Sequence, residues 1–337
     1  MHFHDDALML SLSLEKGSGQ QSYHAVLDIT GTALDPDKRQ RMGSEFVYVG
    51  VSFKLARLLA NGTLTVDAKP GRREALLAEV HAFRTQGSMS PNEASSFRGR
   101  LGFLGSQLMG RVIRGCERPL IERQYRGSAG VLTPKLHQTL DFLELVLRKL
   151  PARVVRGAGA PASMALLWTD AMYEPPAPAG MGFVLSSPRL RRPVAGAAVI
   201  PHEVLAQFLP RKQQIGQAEG FAGILPLFNC ADALKGLDLL HFVDNTSALA
   251  GFVNGTAAVE DSCAIFAVYH VMLARFGTRH WAEHVESKGN CSDGPSRSMA
   301  LDDPLLEALC CDRIQARVPD LFDLYAAPFE QLIAAFE

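Results

Sequence analysis

The sequence predicts an α/β protein: a mixed β-sheet with flanking helices over residues 160–300, preceded by a β-rich stretch (1–70) and a helical stretch (71–155), and followed by a helical extension (301–337). Three observations carry this. In the second half, short runs of strand composition alternate with segments of helical periodicity. Between residues 72 and 150, apolar residues recur at spacings of three and four. A Gly/Ala/Pro-rich stretch at 156–162 (RGAGAPA) reads as a linker between the halves.

Taken in order, residues 46–53 (FVYVGVSF) have strand composition, and Asn61-Gly62 is a turn into a second strand at 63–66. A helix follows Pro70-Gly71 over 72–84. The next opens at Ser90-Pro91-Asn92-Glu93, a capping box with proline at the first helical position. Its apolar stripe is Phe97, Leu101, Leu104, Leu108 and Val112, and it stops near Gly115. A third starts at Thr133-Pro134, carries Leu136, Leu140, Leu143, Leu147 and Leu150, and ends at Pro151. Beyond the linker, strands are expected at 165–169, 182–185, 194–199, 239–243 and 280–285, with helices at 218–228, 246–252 and 261–275. Residues 303–330 read as one or two further helical segments, and no internal repeat is present.

The 337 residues are 47% hydrophobic and 20% charged, with a formal net charge of -1, so any nucleic-acid-binding surface must be local. One such concentration exists. Residues 71–126 hold ten arginines against five glutamates, and Arg98, Arg100, Arg111 and Arg114 are candidates for phosphate contact. A solvated helix face is the plainer reading of such a run. The six cysteines (Cys116, Cys230, Cys263, Cys291, Cys310, Cys311) form no C-x-x-C pair, and scattered thiols in a reducing compartment are expected. The N-terminus lacks a signal-peptide pattern and no apolar run reaches membrane-spanning length, so a soluble intracellular protein is expected, cytoplasmic or nuclear. His280 and His284 would suit zinc on a helix. Here they fall on an expected strand with no third ligand, which disfavours a zinc site.

Four acids occupy telling positions. Asp170 and Asp244 end apolar strand-like runs (LLWTDAM, LLHFVDNTSAL), Glu219 lies early in a helix (GQAEGFAGILPL), and Asp293 sits in a loop that opens a helix (SKGNCSDGPSRS). Ligand sites in open α/β sheets gather at the carboxyl ends of strands. Carboxylates there could hold hard divalent cations, which take oxygen ligands. Any one of the four alone would more often be a turn or N-cap residue; their order and their elements together give the pattern its force. Asp302 and Asp303 are nearby acids outside this pattern, expected to cap the following helix.

The sequence TDA…AE…VDN…NCSDGPSR resembles the ribonuclease H domain of retroelement reverse transcriptases, over about 140 residues. In that family four acids hold two Mg²⁺ (or Mn²⁺) ions, and the resemblance maps them onto Asp170, Glu219, Asp244 and Asp293. The family's closing N-x-x-D-x-x-S-R motif corresponds to Asn290, Asp293, Ser296 and Arg297. The resemblance implies a ribonuclease H-like mixed sheet and hydrolysis of the RNA strand of an RNA–DNA hybrid. Asn290 would brace the Asp293 loop, Arg297 would anchor it, Lys288 could steady a phosphate, and Glu219 could contact a 2′-hydroxyl.

The resemblance extends upstream. Phe3-His4-Asp5-Asp6 is similar to the Y/F-x-D-D hairpin of the polymerase palm, Lys38 to the lysine that follows it, and Tyr48-Val49-Gly50 to the primer-grip hairpin. Residues 71–155 then correspond to a helical thumb and connection. The order fits elements of DIRS-like or LTR type in which ribonuclease H directly follows the thumb. On this reading the chain starts inside the palm, and no polymerase activity is expected from it alone. Two other readings stay open: a catalytically inactive remnant that binds nucleic-acid duplex, and a DDE-type nuclease or transposase of the same fold. The Pro-rich loop after Asp170 (YEPPAPAGMG) has no counterpart in the pattern.

Overall fold

The computed structural model describes residues 18–31, 43–126, 130–157, 163–210, 214–297 and 301–319. Asp5, Asp6 and Lys38 lie outside the described residues, as do residues 320–337 of the expected helical extension. The chain divides into two compact units, one of residues 1–72 and 152–160, the other of 73–151 and 161–337.

The first unit contains α1 (Ser18–Ile29), β1 (Glu45–Tyr48), β2 (Val51–Lys54), α2 (Leu58–Asn61), β3 (Thr63–Ala68) and β4 (Arg153–Arg156). Its strands form an antiparallel sheet in the order β1-β2-β3-β4. The run expected as one strand over 46–53 is a hairpin. Tyr48 pairs with Val51, and Val49 (φ 45) and Gly50 (φ 74) form the two-residue turn. Both central positions of such a turn need positive φ, which glycine supplies freely and β-branched valine resists. The apolar Val49 hides the turn from composition, although the resemblance at Tyr48-Val49-Gly50 implied a hairpin there. Phe46 and Phe53, register partners, stack with centroids 5.2 Å apart. Gly62, at φ 67, caps α2 and releases the chain into β3, which confirms the Asn61-Gly62 turn.

The second unit opens with helices. These are α3 (Arg72–Gln86), α4 (Pro91–Leu104), α5 (Glu117–Arg126) and α6 (Pro134–Lys149). The capping box is present: Ser90 Oγ accepts from the Glu93 amide, and Glu93 Oε2 accepts from the Ser90 amide. Thr133 caps α6 with a single bond, its Oγ1 accepting from the Leu136 amide (3.3 Å). The helix expected to run to Gly115 instead stops at Leu104 and continues as a π-turn (Gly105–Met109) and a 3₁₀ turn (Val112–Cys116). Gly110 between them has φ 53, a conformation no helix interior allows. Phe83 and Phe97 meet edge to face at 5.4 Å in the core of this layer.

The remaining elements are β5 (Met164–Met172), β6 (Gly180–Ser186), β7 (Val194–Val199), α7 (His202–Leu205), α8 (Ile215–Asn229), α9 (Ala231–Leu234), β8 (Asp238–Val243), α10 (Thr246–Asn254), α11 (Glu260–Phe276), β9 (Arg279–His284), α12 (Asp293–Arg297), α13 (Pro304–Ala308) and β10 (Asp312–Gln315). They build a mixed six-stranded sheet in the order β10-β7-β6-β5-β8-β9. β5, β6 and β7 are antiparallel neighbours, β8 and β9 run parallel to β5, and β10 runs parallel to β7. This is the mixed sheet with flanking helices expected from the sequence.

α11 is buried on nearly every face, packed between α8 and the 3₁₀ turn of the helical layer. A helix that is apolar all round belongs in a core. The close approach is set by Gly115, where a Cβ would stand 2.5 Å from the Ala267 Cβ.

Within residues 303–319 the chain departs from the expected helices. Asp303 caps the short α13, but Cys310 takes φ 53 and the chain enters β10, which pairs with β7. Pairing to an open sheet edge overrides the helical preference of PLLEALCCDRIQARV.

Candidate metal centre

The register of β5 and β8 does most of the assembly. The two strands pair in parallel from Met164↔Asp238 to Trp168↔Phe242. Two residues past that last pair stand Asp170 and Asp244, so the aspartates lie side by side at the same level of adjacent strands, about 4.8 Å apart by strand spacing. α8 lies against β5 and β6 and delivers Glu219 to the same point. Asp170, Glu219 and Asp244 each present an oxygen within 4.8 Å of the other two.

The ordinary roles of such acids are filled by other residues or contradicted by geometry. Asn245 rather than Asp244 caps α10, its Oδ1 accepting from the amides of Ser247 (3.0 Å) and Ala248 (3.1 Å). Asp170 is not a turn residue: it is inside β5, paired with Gly182, and 4% exposed. Glu219 is equally buried.

Asp293 stands beside this cluster as the first residue of α12, on a loop fastened to β5. Asn290, buried, donates from Nδ2 to the Thr169 carbonyl (3.1 Å) and accepts from Ser292 Oγ (2.6 Å). Ser296 Oγ donates to Asp170 Oδ2, and Arg297 Nε donates to Asp293 Oδ1 (2.8 Å). All four motif residues at 290–297 therefore act on one loop that touches the Asp170 strand. Lys288 is exposed on the 3₁₀ turn ahead of it.

Burial and like charge dominate the electrostatics over the neighbouring Arg297 cation. Burial, and then the charges of Asp244 and Asp293, push the Asp170 carboxyl up to about 6 against the opposing Ser296 hydrogen bond. Burial, and then Asp170 and Asp244, push Glu219 up to about 9, although the Ala171 amide donates to it. Glu219 Oε2 and Asp244 Oδ1 are sealed from solvent with no hydrogen-bond partner. Orphaned buried carboxylate oxygens are costly unless protonated or bound to a cation. An all-oxygen donor set suits a hard divalent ion such as Mg²⁺ or Mn²⁺.

Sequence reasoning missed two glycines. A Cβ on Gly182 would stand 2.4 Å from the Ser296 amide nitrogen, and one on Gly180 would stand 2.0 Å from the Ser296 carbonyl oxygen. The backbone of α12 thus lies directly on β6, which brings Ser296 to Asp170. The signal was the G-M-G in the unexplained YEPPAPAGMG, since glycine inside a strand marks close approach of another backbone.

The nominated arginines are placed variously. Arg100 pairs with Glu79 and donates to Ser96 Oγ (2.7 Å). Arg114 is exposed, reaches the Asn254 carbonyl at 3.5 Å and lies near Glu117 and Arg111. Arg98 is half-buried near Glu117. Arg111 packs its Cβ against Gly255, near Tyr269 and His270. Tyr48, Val49 and Gly50 form the tip of the β1–β2 hairpin in the first unit.

No protein-family model matches this sequence, and no curated protein matches it. Among solved structures, RNase H1 from the halophilic archaeon Halobacterium salinarum NRC-1 is similar over 42% of this chain and 100% of that one, at 20% identity and a TM-score of 0.32. The N-terminal RNase H domain of a Mycobacterium tuberculosis protein, solved as a fusion with maltose-binding protein, is similar over 44% of this chain and 99% of that one, at 13% identity and a TM-score of 0.29. Among the described residues no helix is long and apolar enough to cross a membrane.

Proposed function

We propose that residues 160–300 form a ribonuclease H that hydrolyses the RNA strand of an RNA–DNA hybrid at Asp170, Glu219, Asp244 and Asp293. The observation that carries this reading is the convergence of two buried carboxylates, Asp170 and Glu219, with the half-buried Asp244, two of the three having an orphaned oxygen, at the carboxyl ends of two adjacent parallel strands and the helix that covers them. Two divalent cations bound there would activate water and steady the leaving oxygen of a phosphodiester.

The chain's own groups have distinct tasks. Asp170 is within reach of both Glu219 and Asp244 and also accepts from the Ser296 hydroxyl. Ser296 and the Ala171 amide orient the carboxylates of Asp170 and Glu219 by donating to them. Arg297 holds Asp293 while leaving its second oxygen for a cation. Asn290 keeps the loop on the strand. The arginines of residues 71–126 and Lys288 are the candidates for contact with a duplex backbone. By resemblance we assign the chain to a retroelement reverse transcriptase–ribonuclease H, with Asp5, Asp6 and Lys38 as polymerase-motif residues and Tyr48, Val49 and Gly50 as a primer-grip-like hairpin.

The test is cleavage of an end-labelled RNA–DNA hybrid with and without Mg²⁺ or Mn²⁺, comparing wild type with Asp244→Asn. Cation-dependent cutting of the RNA strand, lost in the variant, is expected. Binding of hybrid without cutting by either protein would mark an inactive binder. Cutting of duplex DNA but not hybrid would mark a nuclease of the other class.

A further inference from the structure

We propose that His241 is a positioning residue for the carboxylate cluster, setting the separation of the strand ends that carry Asp170 and Asp244 through buried hydrogen bonds to Thr169 and Tyr269. This inference rests on the cation-binding reading of the cluster.

Backbone pairing of β5 and β8 ends at Trp168↔Phe242, short of the aspartates. Beyond that point like charges on neighbouring strands repel, and nothing in the ladder opposes their splaying. His241 bridges this gap. Its register partner is Leu167, yet its Nε2 reaches diagonally forward to Thr169 Oγ1 at 2.8 Å, one pleat beyond the partner and directly before Asp170. Its Nδ1 meets Tyr269 Oη of α11 at 3.0 Å, which anchors the ring from behind.

The same ring touches the third carboxylate's helix. A Cβ on Gly223 would stand 3.3 Å from His241 Cε1 and 2.4 Å from the Phe252 ring, so α8 presses its backbone against this pair. Glu219 is one helical turn before Gly223, on the same side of α8. His241 thus contacts the residue before Asp170, lies three residues before Asp244, and abuts the turn after Glu219. It is fully buried, and both ring nitrogens are satisfied by hydroxyls. A neutral imidazole offers one donor and one acceptor, and hydroxyls complement either arrangement. Groups that orient metal ligands from behind affect cation affinity by about 10–100-fold.

The test is calorimetric titration of the full chain with Mn²⁺, together with kcat and KM for hybrid cleavage at fixed and saturating metal. Four variants are compared with wild type: His241→Phe, His241→Gln, Thr169→Val and Tyr269→Phe. His241→Phe and Thr169→Val should weaken Mn²⁺ binding by about 10-fold or more, with KM for hybrid unchanged and kcat recovering at saturating metal. His241→Gln, whose amide can replace Nε2 toward Thr169, should restore affinity to within about 3-fold. Thr169→Val keeps the side-chain volume, so it reports even if His241→Phe fails to fold. Variants that lower melting temperature but bind Mn²⁺ as wild type does would overturn the proposal and leave His241 a core residue. A wild-type chain that binds no Mn²⁺ would instead overturn the cation reading beneath it.

Discussion

Ser296 Oγ donates a hydrogen bond to Asp170 Oδ2 across 126 residues of sequence, joining the motif loop to the strand that carries the most central acid. The bond opposes the rise that burial imposes on the Asp170 carboxyl, which stands at about 6. Protons and cations compete for this carboxylate, so metal affinity should fall as pH drops through about 6. Ser296→Ala removes the opposing hydrogen bond and raises the Asp170 value further. The fall should then begin at higher pH, with affinity lowered by about 10-fold near pH 6.5. Metal titrations of wild type and variant at several pH values check this; superimposable curves would show that the bond is irrelevant to the site.

Gly182→Ala should damage the site without touching an acid. The added Cβ would stand 2.4 Å from the Ser296 nitrogen and 2.7 Å from the Pro295 Cβ, and both belong to backbone or ring that cannot swing away. α12 must shift outward, carrying Asp293 and the Ser296 hydroxyl from Asp170. Overpacking of this kind costs about 1–3 kcal/mol, and nuclease activity should fall more steeply than stability. Denaturant melts paired with hybrid cleavage rates measure both, and a variant with full activity would show that α12 need not lie so close.

The strands and the principal helices were legible because periodicity is a local signal, and strand-terminal placement singled out Asp170 and Asp244, which the fold brings together with Glu219. Asp170 and Asp244 could be read as neighbours only in outline, since the register that levels them depends on pairing between residues about seventy apart. What stayed hidden was hidden for physical reasons. Val49 at a positive φ kept the turn out of the composition of residues 46–53, which reports side-chain preference and not backbone sign; only the resemblance at Tyr48-Val49-Gly50 pointed to a hairpin. β10 looked helical because its strand character comes from the free edge of β7. His241 looked like one polar residue in an apolar run (LLHFV). Its partners Thr169 and Tyr269 come from other elements, and no spacing rule joins them.

Neutralising the cluster should stabilise the protein in the absence of metal. Asp170, Glu219 and Asp244 crowd together with two orphaned oxygens, an arrangement that costs stability. Glu219→Gln should raise the melting temperature of the metal-free chain. Wild type should gain about 2.7 kcal/mol from metal at 100 times its Kd, or about 5–10 °C for a domain of this size. Glu219→Gln should lose most of that gain. Thermal melts in chelator and in excess Mg²⁺ give the comparison; a variant less stable than wild type in chelator would mean that the carboxylates do not strain the fold.

His280 supplies a test of stability against pH. It projects from β9 toward His241 (ring centroids 5.8 Å) and His270 (6.0 Å), and neither ring nitrogen has solvent or a partner. Burial holds His241 and His270 down at about 3 and His280 well below its ordinary value, so all three stay neutral in the folded chain. Once unfolded, each regains a value near 6.5 and takes up a proton below that pH. Their contribution to stability is therefore intact above about pH 6.5 and is lost as pH falls, at up to about 1.4 kcal/mol per pH unit for each imidazole. The raised carboxylates of Asp170 and Glu219 act in the opposite sense, binding protons in the folded state, so the informative quantity is the difference between a variant and wild type. His280→Leu removes one imidazole and two unsatisfied nitrogens at little change in volume. It should match or exceed wild-type stability at pH 7.5, because replacing an unpartnered buried polar group with an apolar one is neutral or favourable. Its advantage should then widen by about 1.4 kcal/mol for each pH unit between 6.5 and 5. Urea unfolding at pH 7.5, 6.0 and 5.0 measures this. A gap that stays constant with pH would show that His280 is protonated in the folded protein, and would place solvent or a counter-ion where the structure has none.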